Sequence, residues 1–201
     1  MTTTTTIVMA KAPQPGYAKT RLIPALGADG AAALAACLLE HALEQTLAAA
    51  LGPVDLCCAP DATHPALARH AGWPGLALSE QGDGDLGARM ARAFARWLPH
   101  GPVLMTGTDA PALDAAVLRN AAAALRTVDA VFVPALDGGY ALIGLRQPAP
   151  ALFAGVAWST AQVMAQTRER LAAAGLRHVE LAPLPDIDEP ADLVHLPPGW
   201  R

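Results

Sequence analysis

Pro102-Val103-Leu104-Met105-Thr106-Gly107-Thr108-Asp109-Ala110-Pro111 is the stretch from which the fold follows. Its first half is an apolar run with little alternation, the pattern of a central parallel strand covered on both faces. Its second half is a turn carrying one carboxylate, Asp109, and a helix is expected from about Asp114 to Arg126. A strand covered on both faces needs helices on both sides, and the flanking sequence supplies them.

Toward the N-terminus, Ile7 to Ala10 reads as a first strand, and Asp29 is the expected cap of a helix from about Gly30 to Leu51, stopped by Gly52-Pro53. Val54 to Ala59 reads as a buried strand, His64 to Ala71 as a short helix, and Leu76-Ala77-Leu78 as a third strand. A helix is expected from about Leu86 to Leu98, with Leu86, Met90, Phe94, Trp97 and Leu98 on its apolar side. On the other side of the opening stretch come strands at Ala130 to Pro134 and Ala141 to Leu145. A helix capped by Ser159 or Thr160 runs to Ala174 with Gly175 at its C-cap, and Val179 to Leu181 is a last short strand. Strands alternating with helices predict an α/β fold: one mainly parallel sheet with helices on both faces. At 201 residues, the chain is expected to be a single domain spanning 1–201.

In such sheets ligands lie beyond the carboxyl ends of the strands. Three loops leave predicted strands there: Lys11 to Arg21, the Asp109 loop, and the Asp137 loop. The first, Lys11-Ala12-Pro13-Gln14-Pro15-Gly16-Tyr17-Ala18-Lys19-Thr20-Arg21, carries three cations and no acid in a protein of formal charge -4. Its prolines stiffen it, and Gly16 permits a turn or a close approach. Backbone N–H groups with Lys and Arg at a strand end suit a diphosphate or triphosphate; a solvated basic turn is the ordinary alternative. A P-loop is excluded because Tyr17-Ala18 separate Gly16 from Lys19-Thr20, and a dinucleotide fingerprint because the loop has one glycine.

Composition narrows the classes further. With 53% hydrophobic and 16% charged residues the chain is not a disordered polymer, and the mild net acidity without a broad basic face argues against nucleic-acid binding. No apolar run is read as long enough to span a bilayer, and the N-terminal threonines do not form a secretion signal, so cytoplasm is the expected compartment. Cys37, Cys57 and Cys58 lack metal-site spacing and read as reduced, mostly core residues, the adjacent pair facing opposite sides of a strand. Scattered histidines exclude a zinc motif, and no G-x-S-x-G elbow is present.

Asp109, at the end of a buried strand, suits Mg²⁺ or Mn²⁺, which take carboxylate oxygens and keep phosphate and water ligands; a turn or helix-cap role is the alternative. Asp186, Asp188, Glu189 and Asp192 form a second acidic stretch, from which Asp188 could supply a further metal oxygen. Asp137 is either a base for an acceptor hydroxyl or the holder of the Gly138-Gly139 turn. Tyr140 and Trp158 could stack on a base or sugar, or belong to the core. Arg89, in the first turn of its helix, could meet a ligand or a structural acid, whereas Arg92 and Arg96 read as solvated.

Six motifs in order carry a resemblance: Lys11-Ala12-Pro13-x-Pro15-Gly16-x-x-Lys19-Thr20-Arg21-Leu22; Gly84-Asp85-Leu86-Gly87-x-Arg89-Met90; Gly107-Thr108-Asp109-x-Pro111; Pro134-x-x-Asp137-Gly138-Gly139-Tyr140-x-Leu142-Ile143-Gly144-Leu145; Trp158-Ser159-Thr160; and Asp186-Ile187-Asp188-x-Pro190-x-Asp192. Together they resemble the bacterial radical-SAM/selenodomain-associated transferases, also labelled arsenosugar-biosynthesis-type glycosyltransferases, compact members of the nucleotide-diphospho-sugar transferase superfamily with the GT-A fold. The resemblance implies a nucleotide at Lys11, Pro15, Gly16, Lys19, Arg21 and Arg89. It implies Mg²⁺ or Mn²⁺ at Asp109 and Asp188, catalytic roles for Asp109 and Asp137, and acceptor or sugar contacts at Gly138, Gly139, Tyr140 and Trp158. A homodimer is compatible with it. The chain is similar, more distantly, to molybdenum-cofactor and phospholactate guanylyltransferases, and it departs from many GT-A enzymes in reading Thr108-Asp109-Ala110 where they carry Asp-x-Asp.

Three functions are therefore weighed. The first is metal-dependent glycosyl transfer from a nucleotide-diphospho-sugar to a small-molecule acceptor. The second is nucleotidyl transfer from a nucleoside triphosphate to a phosphorylated small molecule with pyrophosphate release. The third is a nucleotide-binding module without turnover.

Overall fold

The computed structural model of the chain describes residues 3–200. Seven strands form one sheet: β1 (Thr5–Lys11), β2 (Val54–Ala59), β3 (Leu76–Glu80), β4 (Val103–Thr106), β5 (Ala130–Pro134), β6 (Tyr140–Leu145) and β7 (His178–Glu180). Their spatial order is β3-β2-β1-β4-β6-β5-β7. β6 runs antiparallel to both β4 and β5, and the other pairings are parallel. The helices are α1 (Ile23–Ala49), α2 (Pro65–Ala68), α3 (Leu86–Trp97), α4 (Ala115–Ala124) and α5 (Val163–Ala173).

Successive strand residues go to opposite faces, which is what fills both layers. Ile7, Cys57, Met105, Phe132 and Ile143 pack with Met90 and Phe94 of α3 and Met164 and Leu171 of α5. On the other face Val8, Leu56 and Cys58 meet Leu39 and Leu43 of α1, while Leu104 and Val131 meet Leu118 and Ala121 of α4. Cys57 and Cys58 are thus divided between the two cores as expected. Burial pushes both thiols up, that of Cys58 to about 12, with neighbouring Cys57 and Asp55 adding to the effect at Cys58. Two of the three cysteines are thus core residues, and Cys37 is exposed.

Several boundaries and roles differ from the sequence reading. The first helix begins at Ile23 and is broken by Gly27, whose φ of 71° and ψ of 168° are not helical. Thr20–Ala49 is, contrary to expectation, long and apolar enough to cross a membrane by length and composition. Alanines raise its apolar content although acids interrupt it; its Leu39 and Leu43 pack against the sheet, and its Leu34 and Leu38 against Leu22 and Ile187. The last helix starts at Val163, three residues beyond the expected cap. Thr160 instead closes its own turn, its Oγ1 donating to Ala157 O at 2.7 Å. Its C-terminus has the predicted glycine signal: Leu176 N–H donates to Leu171 O and Gly175 N–H to Ala172 O, with Gly175 at φ 64°.

Arg92 and Arg96 are not simply solvated. Asp55, fully buried on β2, accepts at Oδ2 from Trp97 Nε1 at 2.6 Å, Ser79 Oγ at 2.9 Å and Arg96 Nη1 at 3.2 Å. Arg96 also donates to Ser79 Oγ and to Glu80 O, and Arg92 to the carbonyls of Gln81 and Asp83. These bonds fasten α3 to β2, β3 and the loop that follows β3.

Candidate active site

The chain runs outward from β1 to β2 and β3, then returns to β4 on the far side of β1. That reversal leaves a crevice between the loops after β1 and β4, where open α/β sheets bind ligands. A cleft of about 740 Å³ lies there. Its walls include Lys11, Lys19 and Arg21 from the first loop, Arg89 from α3, Asp109 after β4, and Asp137 from the β5–β6 turn. Tyr140, Trp158, Asp186, Asp188 and Gly139 line it as well. Pro15, Gly16 and Gly138 stand outside the lining. A Cβ on Gly16 would meet no atom within 4 Å, so its φ of 75° is what calls for glycine there.

The cations of the first loop are not alike. Lys11 lines the cleft and makes no ion pair among the described residues. Lys19 is turned inward: its side chain is 6% exposed, its Nζ is 2.5 Å from Asp109 Oδ1 and 3.7 Å from Asp188 Oδ1, and it donates to Ile187 O. Its backbone occupies the left-handed region at φ 50°. Arg21 holds Asp188 from the other side, Nη1 to Oδ2 at 2.6 Å. Arg89 Nε donates to Gly84 O at 2.9 Å, which orients it beside the acidic loop before α3.

Asp109 does not cap the helix that follows it; Asp114 does, accepting from the N–H groups of Ala116 and Val117 at 2.9 and 2.8 Å. Asp137 holds its own turn, its Oδ1 accepting from Gly139 N–H at 2.8 Å, and it also faces the cleft. Gly138, at φ 93°, lies so close to Ala161 O that a Cβ would stand 2.4 Å from it, and its carbonyl accepts from Met164 N–H of α5 at 2.8 Å. Tyr140 packs edge-on to Phe132, and burial pushes its hydroxyl upward, so it remains a neutral phenol whose OH lies 4.0 Å from Met90 Sδ. Trp158 Nε1 is buried and has no hydrogen-bond partner among the described residues.

Asp186, read from the sequence only as part of the second acidic stretch and given no role there, lines the cleft. After β7 the chain continues along β5: Leu184 N–H donates to Pro134 O and Leu136 N–H to Leu184 O, at 2.9 and 3.2 Å. Ile187 is then buried among Leu22, Leu34 and Leu38, its N–H donating to Asp109 O at 2.8 Å. This plug places Asp186 and Asp188 on the cleft. Burial raises the Asp186 carboxyl to about 6, with the charges of Asp137, Asp192 and Asp109 adding to the shift. The density of acids from Asp186 to Asp192 was the available signal; which of them turned inward was not.

Sequence and fold comparisons agree with this architecture. The sequence profile of a family described as "Uncharacterized protein conserved in bacteria (DUF2064)" matches residues 42–160. The chain belongs to that family. A crystal structure of a candidate nucleotide-diphospho-sugar transferase from Desulfovibrio desulfuricans G20 is 32% identical, with a TM-score of 0.87 over 96% of this chain and 85% of the other. At lower identity the fold alone is shared. CMP:2-keto-3-deoxy-manno-octonic acid synthetase complexed with CTP superposes with a TM-score of 0.60 at 11% identity, over 96% of each chain. The manganese complex of Rv0371c from Mycobacterium tuberculosis H37Rv superposes with 0.58 at 17% identity, over 97% and 98%. Among curated proteins none matches. The α/β architecture expected from the sequence is thus that of nucleotide-diphospho-sugar transferases and nucleotidyltransferases.

Proposed function

We propose that this chain is a metal-dependent transferase that takes a nucleotide-diphospho-sugar as donor and moves the glycosyl group to a small-molecule acceptor. One observation carries the reading: at the crevice between β1 and β4, cations suited to a diphosphate and carboxylates suited to a hard metal ion line the same cleft. The D. desulfuricans relative supports the donor class, and the ordered motifs support placement among the radical-SAM/selenodomain-associated transferases. The manganese bound by the similarly folded Rv0371c agrees with the metal class.

The residues present fit such an ion. Asp109, Asp188 and the Ile187 carbonyl already converge on one positive charge, the Lys19 ammonium. Among the described residues no group of three or more His, Cys, Asp or Glu side chains forms a metal cage. A pair of carboxylates is what Mg²⁺ or Mn²⁺ uses when phosphate and water complete the shell. Asp109 and Asp188 would hold the ion, which supplies neutralisation of the charge developing on the leaving diphosphate. Lys11 and Arg89, with Arg21 at the mouth, would bind and orient the phosphates. Trp158 and Gly139, which line the cleft, would contact the sugar. Asp137, with Asp186 beside it, would take the proton of the acceptor hydroxyl.

Nucleotidyl transfer is the second reading, favoured by one specific feature: Asp109 stands alone where Asp-x-Asp is common. The test is a panel of UDP-, GDP-, ADP- and CDP-sugars and the free triphosphates, each titrated with Mn²⁺, Mg²⁺ or EDTA. Metal-dependent preference for one diphospho-sugar is expected. Preference for a triphosphate with pyrophosphate release would replace the first reading with the second, and affinity without turnover would leave a binding module. Absence of nucleotide binding would remove all three.

A further inference from the structure

Lys19 is placed unlike a cation waiting for phosphate. It comes from a loop whose other lysine, Lys11, faces the cleft without an ion pair among the described residues, yet its own side chain is withdrawn to 6% exposure between two carboxylates. A non-glycine residue in the left-handed region is strained unless its surroundings hold it there. Here Asp109 and Asp188 with the Ile187 carbonyl hold Lys19 from its side-chain end. Arg21 completes the arrangement at 2.6 Å from Asp188, so the two carboxylates are matched by two cations.

We propose that Lys19 is the resident counter-ion of the Asp109–Asp188 pair and that a divalent cation must displace its ammonium group to reach those oxygens. The inference rests on the metal site proposed above and adds a rule for loading it. Metal alone competes with Lys19 and binds weakly. Once displaced, Lys19 sits in the loop that carries Lys11 and can turn to a donor diphosphate, so metal and donor favour each other's binding. By linkage the coupling is reciprocal: whatever draws Lys19 away raises the affinity for metal by the same factor that metal raises affinity for the drawing ligand. No bond is made or broken; an ion pair is exchanged for a metal–carboxylate contact.

The test is Mn²⁺ binding without nucleotide, followed by the electron paramagnetic resonance signal of free Mn²⁺, in the wild-type chain and in Lys19→Met, Lys19→Gln and Asp109→Asn. Both Lys19 variants should bind Mn²⁺ more tightly than wild type, by roughly tenfold to a hundredfold, the scale of one charge-assisted contact. Asp109→Asn should bind it more weakly. A second readout uses the unaltered protein: N-hydroxysuccinimidyl acetate labelling, resolved by mass spectrometry, should modify Lys19 faster in the presence of Mn²⁺ while Lys11 serves as the internal standard. Equal Mn²⁺ affinity in wild type and folded Lys19 variants, with Asp109→Asn still impaired, would overturn the exchange and leave the metal site standing. So would Mn²⁺ binding that leaves Lys19 labelling unchanged. No Mn²⁺ binding by any form, with UDP or GDP present or absent, would overturn both.

Discussion

Gly87→Ala tests whether the cleft wall depends on backbone contact between α3 and the segment before α5. A Cβ built on Gly87 would stand 2.3 Å from Phe153 O, 2.7 Å from Trp158 Nε1 and 3.1 Å from Trp158 Cε2. The nearest atom is a backbone carbonyl, so no rotamer change relieves the contact. Restoring even 3.0 Å needs a separation of about 0.7 Å between the first turn of α3 and residues 153–158. Overpacking of this kind costs about 1 to 3 kcal/mol, and the helix preference of alanine over glycine offsets less than about 1 kcal/mol. Because the contact is with backbone at 2.3 Å, the upper end of that cost applies, and a net loss of about 2 kcal/mol lowers the melting temperature by about 4 to 8 °C for a chain of this size. The displacement separates Arg89 from Trp158 across the cleft, so affinity for the donor found in the nucleotide panel should fall as well. Gly72→Ala is the matched control: its Cβ meets nothing within 4 Å, and a change within about 0.5 kcal/mol is expected. Thermal and urea denaturation of both variants decide it. If Gly87→Ala melts with wild type and binds donor equally well, the close approach is not structural and the reasoning fails.

Two further outcomes bear on charge. Arg96→Met removes the charged donor from the buried Asp55 but leaves Ser79 Oγ and Trp97 Nε1, so a loss of about 2 to 4 kcal/mol is expected, somewhat below that of a fully orphaned buried ion. Urea midpoints at unchanged m-value measure it, and a change under about 0.5 kcal/mol would deny Arg96 its structural role. Asp186 has a folded value of about 6 above its ordinary 3.8, so the native state holds the proton more tightly. Its contribution to stability is fully present below 3.8 and is lost as pH rises through about 6. Asp186→Asn cannot ionise, and its stability relative to wild type should therefore rise across that window. Parallel pH–stability curves would show that Asp186 does not titrate as its surroundings dictate.

Much of the fold was legible locally. Val103 to Thr106 announced a strand buried on both faces, and Cys57-Cys58 were correctly divided between faces because strand periodicity is a property of adjacent residues. The carboxyl-end loops were legible for the same reason, since glycines, prolines and charges stood directly after apolar runs. The antiparallel insertion of β6 between β4 and β5 was not, because the Gly138-Gly139 turn specifies a hairpin but not which strand will receive its outer edge. Arg92 and Arg96 read as solvated because helical spacing says which side of α3 they occupy, not that Asp55 and the carbonyls after β3 approach that side.

The candidate site divides in the same way. From the sequence alone came the α/β class, the family resemblance, the gathering of Lys11, Lys19 and Arg21 in one loop, and the acids at Asp109, Asp137 and Asp188. Only the tertiary structure set Lys19 between two carboxylates, brought Asp186 beside Asp137, and set Gly87 against Trp158. The reason is range: periodicity, turn chemistry and strand-end composition act between neighbours along the chain, whereas ion pairing and desolvation act between groups that only the packed sheet brings within a few ångströms.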